Sequence, residues 1–270
     1  MQDGKHSSGK GQHKHWNKDI APILKGWEYE PGTINVRKIV GLDGSPKLQM
    51  RLDLGLMQME IDGRPDGRRP HGCESLLDYY EKRLREYRQR HGTALGFHLT
   101  PNQCQSLREE AWMYYHRYVS LFVLGEFTGV ARDTDRNLRV LDLCEKYAVD
   151  EQDRLILEQY RPYIIMMNTR AKASIEYEAA NYRRALAILK KGLKGMKMFF
   201  EHFGQLSAYK HSNEVKILKQ FGREIRSKLP VDPMRKLLTD LDRAVKDERY
   251  EEAARLRDEI EKLKAGGQQA

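Results

Sequence analysis

Met234-Arg-Lys-Leu-Leu-Thr-Asp-Leu-Asp-Arg-Ala-Val-Lys-Asp-Glu-Arg-Tyr250-Glu-Glu-Ala-Ala-Arg-Leu-Arg-Asp-Glu-Ile260-Glu-Lys-Leu263 is the stretch from which the fold is most directly legible. Leu237, Leu238, Leu241 and Val245 recur at three- and four-residue spacing before Asp247-Glu-Arg-Tyr250, and Ala253, Ala254, Leu256, Ile260 and Leu263 do so after it. That period is the mark of two amphipathic helices joined by a tight polar turn. Helices of about fifteen residues are marginal alone in water, so the pair must bury its apolar stripes on each other or on a further surface.

The run resembles the UVR motif, the helical hairpin at the C-terminus of UvrB, within UvrC, and in several bacterial Clp ATPases and their adaptors. The residues that carry the resemblance are Leu241 and Ala244, Tyr250 where the family usually has Phe, Glu252-Ala253-Ala254-Arg255-Leu256-Arg257-Asp258, and Ile260. It spans roughly residues 230–265. In that family the hairpin is a protein–protein contact, usually with another copy of itself, and does no chemistry. The resemblance therefore implies a partner surface carried by Leu241, Ala244, Tyr250, Ala253, Ala254, Arg257 and Asp258. The small residues permit close helix approach, and the Arg/Asp pair is suited to cross-pairing at a two-fold contact.

Composition bounds the rest. A chain of 270 residues with 40% hydrophobic and 32% charged residues has the length for a sizeable core and the balance of a soluble, helix-rich protein. No apolar run approaches a membrane span, and the opening Met1-Gln-Asp-Gly-Lys lacks a hydrophobic signal core, so a cytoplasmic location without membrane contact is expected. Cys73, Cys104 and Cys144 are far apart in sequence and form no Cys-x-x-Cys pair, an arrangement of reduced thiols rather than of zinc ligands or a disulfide framework.

The net charge of +9 is concentrated. Residues 181–230 hold twelve Lys/Arg against three acids, an excess equal to that of the whole chain, whereas the tail from Val231 is close to neutral. Such a segment suits a phosphate backbone or an acidic protein, with Lys190, Lys191, Lys194 and Lys197 the candidate phosphate-binding residues; a plain solvated helix face explains the same letters. Few aromatics alternate with these charges, so any nucleic-acid binding would be non-specific.

Along the chain, residues 1–18 form a Gly/Lys/His/Ser-rich tail expected to be disordered, as are 266–270. Residues 19–72 read as a β-rich element: Ile34–Val40, a turn through Gly41–Pro46, then Leu48, Met50, Leu52, Leu54 and Leu56 in alternation. The apolar parity flips near Gly55 to Met57, Met59 and Ile61, which suggests a bulge or bend in one long strand. Asp62–Gly72 is a turn-rich linker whose Arg64, Arg68, Arg69 and His71 either decorate a loop or hold an anion. Residues 73–229 are helical, with Ser75 and Thr100-Pro101 as helix starts and Pro162 opening or bending another helix. Within them, residues 166–197 resemble a tetratricopeptide repeat: Ala173 and Ala185 fall where its two helices cross, Tyr177 and Tyr182 at its aromatic positions, and Gly192 at its later small one. Phe122, Gly125-Glu-Phe127, Val130 and Leu138 occupy matching places upstream, although Tyr118 stands where a small residue belongs.

The expected fold is thus mainly α (α+β): an N-terminal β-hairpin or small sheet, an antiparallel TPR-like helical scaffold, and a UVR-like hairpin at 231–265. No phosphate loop or nuclease signature is present, His98, His116, His202 and His211 are isolated, and Glu109-Glu110 and Asp133/Asp135 read as solvated helix faces or turns. The expectation is a non-enzymatic adaptor without cofactor or metal, its hairpin meeting another UVR-like hairpin or a second copy of the chain. The competing expectation is a DNA-repair or stress accessory that binds nucleic acid through residues 181–230.

Overall fold

The computed structural model describes residues 19–229 and 233–266. The tail 1–18 and all but Gly266 of 266–270 lie outside the described residues. The chain divides into two compact units, 1–159 and 160–270, and the division falls within the helical run that begins at residue 73.

The first unit starts with a short helix, α1 (Ala21–Leu24), and an antiparallel three-stranded meander, β1 (Val36–Val40), β2 (Pro46–Leu52) and β3 (Gly55–Glu60). Strand β2 pairs Met50 with Val36 and Leu48 with Met59, so Leu48, Met50 and Met59 share a buried apolar face. The opposite face is a cross-strand polar ladder: Arg37 donates to Gln49 at 2.9 Å, Gln49 to Gln58 at 2.9 Å, and Lys47 pairs with Glu60. The expected long bent strand is instead a second hairpin. Leu52 pairs with Gly55 across the two-residue turn Asp53-Leu54, and the parity flip is the reversal of chain direction.

Four helices complete the unit: α2 (Leu76–His91), α3 (Pro101–Val123), α4 (Phe127–Tyr147) and the short α5 (Glu151–Leu155). The hydroxyl of Ser75 accepts from the Asp78 amide at 3.1 Å and starts α2, and Gly92, at φ +70°, ends it. Leu77, Tyr80 and Leu84, spaced three and four apart, are its buried face. Helices α3 and α4 form an antiparallel hairpin whose open end is tied by Leu99, which donates to Tyr147 O at 2.7 Å and accepts from the Val149 amide at 3.0 Å.

The second unit comprises α6 (Arg161–Glu178), with Pro162 in its first turn, α7 (Tyr182–His202), the short α8 (Leu206–His211), α9 (Asn213–Lys228), α10 (Pro233–Lys246) and α11 (Tyr250–Gly266). Helices α6, α7 and α9 pack mutually around Ala173, Ala185, Leu189, Met196, Leu218 and Ile225. Gly192 sets how closely α6 and α7 approach: a Cβ there would lie 2.2 Å from the Thr169 hydroxyl oxygen. Helices α10 and α11 pack against each other, and among the described residues neither packs extensively on any other element. The architecture is mainly helical with one small sheet, as the sequence implies.

Candidate functional site

Three helical hairpins among the described residues share a turn device that the α7–α8 turn at Gly204 also uses. Gly125, Ala180 and Glu248 each adopt the left-handed conformation, at φ +75°, +58° and +56°. The amide of the next residue then closes on the carbonyl five residues back: Glu126 to Leu121 at 2.9 Å, Asn181 to Glu176 at 2.8 Å, Arg249 to Ala244 at 2.8 Å. These are the paired closures that satisfy a helix C-terminus before the chain reverses. An aromatic follows, Phe127, Tyr182 or Tyr250, and three residues later comes a buried residue, Val130, Ala185 or Ala253.

The hairpins differ opposite the aromatic. Phe122 meets Phe127, and Tyr177 meets Tyr182, each with ring centroids 5.6 Å apart. The residue that corresponds to Phe122 and Tyr177 in the terminal hairpin is Val245. Tyr250 therefore lacks the ring that clasps its counterparts, and it is 69% exposed, next to a Val245 that is 46% exposed.

The interior of the terminal hairpin is a narrow stripe of Ala244, Ala253 and Ile260, all buried, with Leu237, Leu241 and Leu256 half-buried beside them. Successive helical residues turn by about 100°, so Leu238 and Val245 lie together on one flank of α10, while Tyr250, Ala254 and Arg257 lie on one flank of α11. Since the helices are right-handed and antiparallel, the two flanks fall on the same side of the hairpin. That side presents Leu238, Val245, Tyr250 and Ala254, all exposed, with Leu241 at its inner margin. Arg257 and Asp258, both exposed, straddle Ala254 in phase one turn further on. At its turn end, Arg249 pairs with Asp247 at 2.9 Å and with Glu252 at 2.5 Å, which holds the polar rim next to Tyr250. Of the residues singled out from the sequence, Ala244 and Ala253 join the two helices to each other, and Tyr250, Ala254, Arg257 and Asp258 face outward. Leu238 and Val245 belong to the same face; their apolar character in a three/four pattern was visible, but which of the stripe's leucines would remain uncovered was not.

The four lysines proposed for phosphate, Lys190, Lys191, Lys194 and Lys197, are all exposed on α7, and Lys197 pairs with Glu201 at 3.2 Å. Of the loop arginines, Arg64 turns inward to Glu110 at 3.3 Å and Asp66 at 3.2 Å, whereas Arg68 stays in solvent. His71 stacks on Tyr79 at 4.1 Å.

The acids read as solvated are the clearest correction. Glu110 and Asp133 are both fully buried. Glu110 pairs with Arg136 and accepts from the Leu76 and Leu77 amides at 2.8 and 3.3 Å, so its carboxylate caps the start of α2. Asp133 takes a bidentate pair from Arg117, Nε at 2.6 Å and Nη2 at 2.8 Å, while Arg117 Nη1 donates to Glu60 O at 3.1 Å and Gly63 O at 2.8 Å. Arg132 adds bonds to Asp62, Ile61 O and Asp133. The network fastens the loop after β3 onto α3 and α4. Burial pushes the Tyr114 phenol up to about 12 and the Arg136 guanidinium down to about 9. Every carboxylate in this cluster is engaged by an arginine, the arrangement of a structural core rather than of acid–base chemistry.

Two cysteines distant in sequence also meet. Cys104, in the first turn of α3, and Cys144, near the end of α4, are both buried, and their side-chain contact lowers the Cys104 thiol and raises that of Cys144. Among the described residues, no group of three or more His, Cys, Asp or Glu side chains is placed to hold a metal ion, and no helix is long and apolar enough to cross a membrane.

The terminal hairpin thus combines a closed interior with an uncovered apolar flank and a charged rim. Residues 233–266 match the family model of the UvrB/uvrC motif. No curated protein and no solved structure matches the chain.

Proposed function

We propose that the chain is a non-enzymatic adaptor whose terminal hairpin recruits a protein partner through the Leu238/Val245/Tyr250/Ala254 face, the partner being another UVR hairpin or a second copy of this chain. The observation that carries this reading is the 69% exposure of Tyr250 beside exposed Leu238 and Val245, on a hairpin whose interior is already closed by Ala244, Ala253 and Ile260. An apolar flank rimmed by charge is what a helix-on-helix contact requires. In a pairing of like with like the contact is isologous, and the neighbouring Arg257 and Asp258 are suited to exchange ion pairs across the two-fold axis and fix its register.

The test is Ala254→Arg in the full-length chain. Ala254 is exposed in the free hairpin, so the substitution leaves far-UV circular dichroism unchanged. Self-association by sedimentation velocity, or retention of a UVR hairpin in a pull-down, is abolished. Tyr250→Ala should weaken the same contact by about 2 kcal/mol, roughly thirtyfold, as for a central aromatic anchor. Unchanged association in both variants would overturn the proposal.

A further inference from the structure

A second surface lies between α7 and α9. It is a groove of about 660 Å³ with a floor of Leu186, Leu189, Leu193, Leu218 and Gly222 and a rim of Arg183, Lys190, Lys219, Arg223 and Arg226. No acidic residue lines it, and among the described residues none of the five rim cations is held in an ion pair. Cations that border an apolar trough without counter-charges leave a strong positive field over a surface from which water is readily displaced.

From this trough, where half-buried Leu186 and Leu193 stand above the buried Leu189, Leu218 and Gly222, and from its rim of cations without counter-charges, we infer that the α7/α9 groove is a docking site for an acidic amphipathic helix of a partner protein. Its geometry supplies the length. Leu186 to Leu193 covers seven residues of α7, about 10 Å or two helical turns, which matches apolar side chains at positions i, i+3 or i+4, and i+7 of an incoming helix. Gly222 deepens the trough where α9 faces Leu189, the nearest side-chain atom to a Cβ built there at 3.5 Å. Its chemistry supplies the charge: carboxylates flanking the incoming leucines would meet Arg183 and Lys190 on one side and Lys219, Arg223 and Arg226 on the other. A nucleic acid fits less well, because a phosphate backbone would satisfy the rim and leave the leucine floor covered by polar groups. The lining also offers no aromatic ring on which a base could stack. The site is separate from the terminal hairpin, so the two surfaces stand or fall independently.

The probe is a fluorescein-labelled, lactam-stapled peptide of about three turns with leucines at every third and fourth position and glutamates on both flanks. It is titrated into the full-length chain by fluorescence anisotropy. Binding is expected, weakening as salt rises. The double variant Lys219→Glu/Arg223→Glu should lower affinity at least about tenfold. Ala187 lines the groove yet is exposed, so Ala187→Trp should block the floor and abolish binding with circular dichroism unchanged. Ala254→Arg should leave peptide binding intact, which separates this site from the hairpin. The inference is overturned if the peptide does not bind, if a scrambled peptide of the same composition binds equally, or if random-sequence duplex DNA displaces it and itself loses affinity in the Lys219→Glu/Arg223→Glu variant.

Discussion

Removal of the Asp133 carboxylate should be among the most damaging single changes in the first unit. Asp133 and Arg117 have no exposed side-chain surface, and two short bonds at 2.6 and 2.8 Å join them. In Asp133→Ala the guanidinium keeps its bonds to Glu60 O and Gly63 O through Nη1, but Nε and Nη2 lose their acceptor inside the core. A buried charge stripped of its partner costs about 3–5 kcal/mol. The bond from Arg132 adds nothing countable, because that side chain is 41% exposed and retains Asp62. A loss of about 4 kcal/mol should lower the melting temperature of a unit of this size by roughly 10 °C. Urea denaturation followed by circular dichroism measures the total. Hydrogen exchange of peptides from α3, α4 and the loop after β3 assigns it to this unit, which matters because a chain with two units need not unfold in one step. A cycle with Arg117→Met should show coupling of at least about 2 kcal/mol. A loss below about 1 kcal/mol, or additivity in the cycle, would refute the view that this pair fastens the sheet to the helices.

Two further outcomes follow from the packing. Burial holds the His116 imidazole below its ordinary 6.5, and its Nε2 has no partner, so the unfolded chain takes up the proton first as pH falls. Stability from this residue is therefore present above pH 6.5 and is lost as pH drops through the lower folded value; His116→Phe should flatten the dependence of the urea midpoint between about pH 7 and 5. Gly192→Ala would force its Cβ to within 2.2 Å of Thr169, so α6 and α7 must separate at a cost of about 1–3 kcal/mol, visible in thermal unfolding; pairing it with Thr169→Ala, which removes the two nearest clashing atoms and leaves the Thr169 Cβ position at 2.8 Å, should recover part of that loss.

What was legible in the sequence was what periodicity and backbone chemistry enforce. The two stripes across Asp247–Tyr250, the Ser75 cap and the buried small residues Ala173 and Ala185 all follow from constraints within a turn or two of helix. What was not legible needed three-dimensional partners. Glu110 and Asp133 are carboxylates on helices, and their letters are the same whether they face water or arginine; only the arrival of Arg136 and Arg117 from other turns decides it. Cys104 and Cys144 meet because α3 and α4 are antiparallel, a fact absent from their spacing. At Gly55 the parity flip was seen, but a bend and a reversal leave the same mark, and the pairing of Leu52 with Gly55 separates them. At the hairpin, motif residues were identifiable, yet the outward face includes Leu238 and Val245 because Ala244 and Ala253 fill only a thin seam.

The thinness of that seam has a thermodynamic consequence. Alanines remove little apolar area from water, so a two-helix element closed by Ala244, Ala253 and Ile260 has a shallow free-energy well of its own. Whatever covers Tyr250 and Val245 adds its binding free energy to that well. On the proposed reading, occupancy of this face is readable as slowed amide exchange across residues 233–266.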